Sequence, residues 1–406
     1  MSSVNRTGVY LIGALGSIAS MAVAGALALK KNLAPTTGMV TCSEIFDGVD
    51  LVEPGSLVFG GCDIRSAVNS RDIFEKMIPV APGILLEIKA ELEEFQHNVD
   101  SGCAKNCGEA IEKLAGPENA KEKSLEEEIG YMRGCLQAFR RKYSLDEVIV
   151  VNLASTEPPL KLEACHFELE SFQKVLAANE REKVRASTLY SCAAIMEECA
   201  YINFTPSNGA LPPALVQLAA QKGAPVMGND GKTGETLVKS ALAPMFACRN
   251  LEVMSWEGFN ILGNMDGQIL NHPGNRESKI RTKDQVLSKI LGYSPHTTVS
   301  IGYVPSLDDQ KTAWDFIHFR GFLGAKMSLQ FTWQGYDSIL AAPLVLDLVR
   351  LAELAKRRGE GGVMTHLASF FKAPVGVEKH ALPDQFLMLA DYAEALRGTS
   401  RDSRND

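Results

Sequence analysis

Five short apolar runs, each breaking off into small or polar residues, set the tightest limit on what this chain can fold into. Gly8-Val9-Tyr10-Leu11-Ile12 runs into Gly13-Ala14-Leu15-Gly16-Ser17, and Leu57-Val58-Phe59 into Gly60-Gly61-Cys62-Asp63-Ile64. Val148-Ile149-Val150-Val151-Asn152-Leu153 meets Ala154-Ser155-Thr156-Glu157, and Ala200-Tyr201-Ile202-Asn203 meets Phe204-Thr205-Pro206-Ser207-Asn208. Ala224-Pro225-Val226-Met227 precedes Gly228-Asn229-Asp230-Gly231-Lys232-Thr233-Gly234-Glu235-Thr236. Continuous apolar runs suit strands buried on both faces, as in a parallel sheet covered by helices. Polar ends on successive parallel strands converge on one edge, where doubly wound sheets bind ligands. The prediction is an α/β, Rossmann-like doubly wound parallel sheet.

Between the runs the spacing predicts helices. Residues 82–98 carry Ile84, Leu85, Ile88, Leu92 and Phe95 near the 3.6 period, with glutamates on the other face. Residues 102–125 are polar and predict a surface excursion or helical hairpin, and the polar tail at 398–406 a loose end. The N-terminal stretch from Val9 to Leu29 lacks charge and ends in Lys30-Lys31, so it reads in two ways. One is a signal peptide or membrane span. The other is a strand, a Gly-rich turn and an Ala-rich helix, either approaching a pyrophosphate closely or forming a first α/β unit without a ligand.

Composition excludes several classes. With 46% hydrophobic and 22% charged residues the chain is globular rather than disordered. A net charge of −8 argues against a duplex nucleic-acid binder, which needs a basic excess to displace counterions. Nine scattered cysteines form no secreted disulfide framework and no complete zinc pattern, so a reducing cytoplasm is expected and no metal site is assigned. Gly231-Lys232-Thr233 imitates the end of a phosphate-binding P-loop, but the required glycine five positions earlier is Val226.

After Leu251 the pattern changes to alternation, in Leu251-Glu252-Val253-Met254, in residues 299–303 and in residues 327–333. Alternation marks strands with one face buried. An inserted α+β domain at 251–336 is therefore expected, with the parallel layer occupying 1–250 and resuming at 337–406, where residues 343–355 read as a long apolar helix.

The insertion concentrates the chemistry. Arg276, Lys279 and Lys283 fall at i, i+3 and i+7, one face of a predicted helix, which is either a solvated basic face or an anion site. Gly263-Asn264-Met265-Asp266-Gly267 is a tight turn that either simply turns or presents Asp266 to a ligand. Asp308 and Asp309 are expected to cap a helix with Lys311 in its first turn. Asp337 reads as a helix cap or a site acid. Lys372 lies in apolar company, where burial would lower its pKa toward general-base use; the other reading is a lysine in the last helical turn before Pro374.

Taken together, Gly60-Gly61-Cys62-Asp63-Ile64, Ala154-Ser155-Thr156-Glu157, residues 228–236 and 263–267, Tyr303 to Lys311, Asp337-Ser338-Ile339-Leu340-Ala341-Ala342-Pro343 and Phe371-Lys372-Ala373-Pro374 resemble the inositol-3-phosphate synthase family, also called myo-inositol-1-phosphate synthase, in order and spacing. The resemblance covers nearly the whole chain and favours the strand-turn-helix reading of the N-terminus over a membrane segment. It implies an NAD-dependent isomerase of glucose 6-phosphate, cytoplasmic and homotetrameric, binding neither nucleic acid nor membrane. It implies Lys279, Lys283, Lys311, Lys372, Asp337 and Asp266 as active-site residues. Cofactor contacts implied are Gly13, Ala14, Gly16, Ser17, Asp63, Ile64, Ser155, Thr156, Asp230, Thr233, Asn264 and Asp309. Two departures stand out: the Gly-rich turn lacks the family's consecutive asparagines, and Met265 replaces a common asparagine. A dehydrogenase with net redox turnover and a non-catalytic binding protein are the alternatives.

Overall fold

A computed structural model describes residues 5–65, 80–116, 123–264, 267 and 286–402. Strand β1 (Thr7–Ile12) is buried from end to end. Val9 and Leu11 enter the core on one face of its sheet, Tyr10 and Ile12 the core on the other. Helix α1 (Ser17–Lys30) follows, rich in alanine, so its backbone can lie close to the sheet. Then come β2 (Val58–Asp63), α2 (Pro82–Gln96), β3 (Val99–Ser101), α3 (Leu125–Tyr143) and β4 (Glu147–Asn152). Next are α4 (Leu169–Ala177), α5 (Ala186–Met196), β5 (Ala200–Asn203), α6 (Pro213–Lys222) and β6 (Pro225–Gly228). Helix α3 begins in a capping box, Ser124 accepting from the Glu127 amide, and ends on Ser144 in the left-handed region.

After α7 (Gly234–Cys248) the chain forms β7 (Glu252–Leu262), β8 (His296–Tyr303), β9 (Gln310–Arg320) and β10 (Lys326–Tyr336). It returns through α8 (Asp337–Arg357), β11 (Gly362–Val363) and α9 (Leu382–Asp402). Among the described residues, seven strands make one sheet in the order β11-β6-β5-β4-β1-β2-β3, every pairing parallel. The order reverses between β1 and β4, which opens the crevice expected at a switch point. Helices α1, α2 and α8 contribute to one apolar core, and α3, α5 and α6 to the other.

Four described strands form the second sheet, in the order β10-β9-β7-β8, mixed because β7 and β8 run parallel. Helix α7 covers one face through Ala243 and Phe246, which join Val253, Trp256, Leu287 and Ile317. Beside that patch lies a buried polar layer. Lys239 Nζ meets Glu235 at 2.6 Å, Asn260 donates to Glu235 at 2.6 Å, and the Trp256 indole donates to Asp315 at 2.7 Å. The opposite face leaves Phe259, Ile261 and Trp314 exposed, the rings of Phe259 and Trp314 5.4 Å apart.

Three local expectations are corrected. Lys311 sits in strand β9, not in a helix, because residues 313, 315 and 317 alternate inward there. Lys372 follows the 3₁₀ turn Thr365–Phe370 at a bend just after the Gly231–Phe371 bridge, not in a helical turn. Helix α9 continues to Asp402, into the predicted tail. No described helix is long and apolar enough to cross a membrane.

Candidate active site

The crevice begins where β1 turns into α1. Gly13 adopts φ +79°, and its amide and that of Ala14 both donate to the Cys62 carbonyl, at 2.9 and 3.1 Å. A β-carbon on Gly13 would lie 2.9 Å from Ala154 Cα, so only glycine lets the turn pass this close to the next loop. Gly16 caps α1 without a side-chain hydrogen bond, and Gly16, Ser17 and Ile18 line the cavity. First-turn amides and the helix dipole there suit an anion. Asp63, the last residue of β2, accepts from the Leu15 amide at 2.9 Å and from Arg65.

From this turn a cavity of about 620 Å³ runs between the two sheets. Ile64, Ser155, Thr156, Thr233 and Asn264 line it, as do Asp63, Asp230 and Asp309. Ala14 is fully buried instead, and a β-carbon on Gly61 would lie 2.9 Å from its methyl. An uncapped helix N-terminus, an acid at the end of β2 and an elongated cavity fit a dinucleotide such as NAD.

The far end of the cavity carries two lysine–aspartate pairs. Residues 228–232 and 370–375 are joined through their backbones: Asn229 and Ala373 exchange bonds of 2.8 and 3.1 Å, and the Lys372 amide donates to Asp230 at 2.7 Å. Asp230 adopts φ +64°, and its carboxylate accepts from Lys372 Nζ at 2.8 Å. The second pair arises from strand register. Lys311 lies opposite Leu262 on β7 and Gly335 on β10, so Asp337, two residues past Gly335, accepts from Lys311 Nζ at 2.9 Å. Gly234, at φ +54°, lies against this pair; a β-carbon there would come within 3.4 Å of both partners.

Asp309 is buried beside them. It accepts from Asn264 at 3.1 Å and from the Ser338 hydroxyl. Burial pushes its carboxyl above the usual range; the two hydrogen bonds oppose that shift, and nearby Asp337 adds to it. Behind Lys372 lies Lys232, bonded to Gln385, its pKa lowered to about 7 by burial and then by the Lys372 charge. Lys279, Lys283 and Asp266 lie outside the described residues.

Sequence reasoning missed three participants. Lys232 was weighed only as part of a failed P-loop, although an isolated lysine between glycine-rich turns signals a buried cation. Ser338 and Arg65 carry no pattern that marks them; their roles emerge from the acids they meet.

The family model described as myo-inositol-1-phosphate synthase, an NAD-binding family, matches residues 7–393. Inositol-3-phosphate synthase 1 of Bacteroides thetaiotaomicron is 32% identical over 403 residues, covering 93% of this chain and 91% of its own. Inositol-3-phosphate synthase of Dictyostelium discoideum is 29% identical over 435 residues, covering 93% and 82%. The crystal structure of inositol-3-phosphate synthase from Caenorhabditis elegans matches with a TM-score of 0.87 at 26% identity, covering 97% of this chain and 86% of that one. A myo-inositol-1-phosphate synthase-related protein from Thermotoga maritima matches at 0.78 and 25% identity, covering 95% and 98%. Likeness that runs almost end to end, in residues and in backbone alike, means that this chain belongs to the myo-inositol-1-phosphate synthase family.

Proposed function

We propose that this protein is an NAD-dependent isomerase that converts D-glucose 6-phosphate to 1D-myo-inositol 3-phosphate. The sugar is oxidised at C5, loses a proton at C6, closes by attack of C6 on the C1 aldehyde, and is reduced again at C5. NAD, when bound, supplies the hydride acceptor for the first step and the donor for the last, so net redox is zero. The observation that carries this reading is the convergence of two lysine–aspartate pairs, Lys372–Asp230 and Lys311–Asp337, on a cavity that begins at a dinucleotide-type turn.

Roles follow from chemistry. Lys372 or Lys279 moves the proton at the C5 oxygen, the first held by Asp230. Lys311 and Lys283 neutralise phosphate and enolate oxygens, which matters most in a site shielded from water. Asp337 orients Lys311, and the family resemblance assigns Asp230 and Asp266 as the acids that serve the nicotinamide. Gly13, Gly16, Ser17, Ile64, Ser155, Thr156, Thr233, Asn264 and Asp309 hold the cofactor, Asp63 serves it by fixing the Leu15 amide and Arg65, and Ala14 shapes the turn from beneath. We assign residues 1–250 and 337–406 to the cofactor layer and 251–336 to a catalytic and tetramerisation insertion. The protein is taken as cytoplasmic and homotetrameric; the uncovered Phe259, Ile261 and Trp314 face supports self-association.

The test is to incubate purified protein with glucose 6-phosphate and NAD+ and follow phosphorus NMR and NADH absorbance together. An inositol phosphate should form with no lasting NADH. Stoichiometric NADH without a cyclitol would replace this reading with a dehydrogenase.

A further inference from the structure

The adenosine end of the crevice contains an ion pair that the proposed reaction does not require. Asp63 ends β2, the position at which an acid in a doubly wound fold accepts the ribose hydroxyl and repels a phosphate there. Its carboxylate is already engaged. Oδ1 accepts from the Arg65 amide at 3.0 Å and from Arg65 Nε at 2.9 Å. Oδ2 accepts from the Leu15 amide and from Arg65 Nη2, both at 2.9 Å. A carboxylate offers about four lone-pair sites, so these bonds occupy its capacity. The adjoining guanidinium also cancels its charge.

Arg65 remains available on its other side. Its side chain is 28% exposed, and the residue lines the cavity beside Asp63 and Ile64. Of the five guanidinium N–H donors, Asp63 takes Nε–H and one on Nη2. The rest have no partner among the described residues. A planar fork with spare donors is the side chain best matched to a phosphate. At this edge, then, the group that would exclude a 2′-phosphate is neutralised, and the group that would bind it is held in place by the excluder.

We propose that Arg65 makes the crevice accept a 2′-phosphorylated nicotinamide dinucleotide, NADP+, as well as NAD+. The proposal rests on the dinucleotide reading of the crevice and concerns only which dinucleotide enters.

Calorimetric titration of the full-length protein with NAD+ and, separately, NADP+ tests it without turnover. The expected result is that NADP+ binds within about thirtyfold of NAD+, and that Arg65→Ser widens the gap by about threefold or more through loss of charge-assisted bonds. Arg65→Lys, which keeps the charge without the fork, should fall between. NAD+ binding with NADP+ weaker by more than about thirtyfold overturns the proposal and leaves the dinucleotide reading standing. A gap that Arg65→Ser widens by less than about threefold overturns it equally. If the native protein binds neither dinucleotide, the underlying reading fails and takes the proposal with it. The native ratio is decisive even if the serine variant does not fold.

Discussion

The two sheets treat polar groups in opposite ways. In the parallel sheet, three strands bury mainly apolar side chains and turn polar at the last residue: Asp63 on β2, Asn152 on β4, Asn203 on β5. In the smaller sheet, Asn260 and Asp315 are buried within β7 and β9: Asn260 meets Glu235 of α7, which also pairs with Lys239, and Asp315 meets the Trp256 indole. The first arrangement builds an inert platform with a reactive rim. The second fixes a helix on a sheet through directional bonds, which specify register in a way that apolar contact does not. Gly234 begins that helix and lies against Lys311 and Asp337, so the orientation of one site pair depends on the charged layer.

The largest expected effect separates rim from reaction. Lys372→Ala and Lys311→Ala should each lower inositol phosphate formation by about 10²–10⁴-fold while NAD+ titration stays near native. Loss of NAD+ binding alongside activity would mean that the two ends of the cavity are not separate in function. Next comes the charged layer itself. Lys239→Met removes one partner of a fully buried pair and should cost about 3–5 kcal/mol in urea denaturation. A cost below about 1 kcal/mol would erase the contrast between the sheets.

A smaller effect concerns pH. Folding lowers Lys232 from an ordinary lysine pKa of 10.5 to about 7, so across that window the unfolded chain binds more protons and stability rises with pH. Between pH 7 and about 8.5 the native protein should gain about 1–2 kcal/mol relative to Lys232→Met, read as a difference in denaturation midpoints. A flat difference would show that this buried lysine does not titrate with folding. Smallest for the protomer is Trp314→Glu on the bare face. It should change chemical stability by about 0.5 kcal/mol or less, yet lower the sedimentation coefficient by dissolving the proposed tetramer.

The parallel layer was legible because its strands are continuous apolar runs, a pattern that few other environments tolerate. Helix α2 was legible for a similar reason: Ile88, Leu92 and Phe95 are its buried residues, at the predicted spacing. Strand β9 was not legible at Lys311. Its inward positions are Ala313, Asp315 and Ile317, and an acid in the middle breaks the hydrophobic signal. Asp315 is admissible there because an indole N–H from a strand 59 residues away meets it. The lysine–aspartate pairings were hidden for a related reason. Lys372 and Asp230 lie 142 residues apart, and no local propensity records which acid a lysine will find. Asp63 and Arg65 are only two positions apart in sequence, yet their pairing depends on a carboxylate turned toward the Leu15 amide, which only the closed turn creates.

The backbone seam between residues 228–232 and 370–375 has a consequence for how the protein is made. A nascent chain can pair β1, β2, β4, β5 and β6 while most of α8 is still unsynthesised, since those strands end at Gly228. The loop carrying Asp230 can already bond Thr205 and Phe204, but its bonds to Lys372, Ala373 and Val375 form only once those residues leave the ribosome. A copy that stalls before that point holds the crevice without Lys372, one of the two lysines proposed to move the proton. On that proposal, turnover is withheld from incomplete copies until nearly the whole polypeptide has been read out.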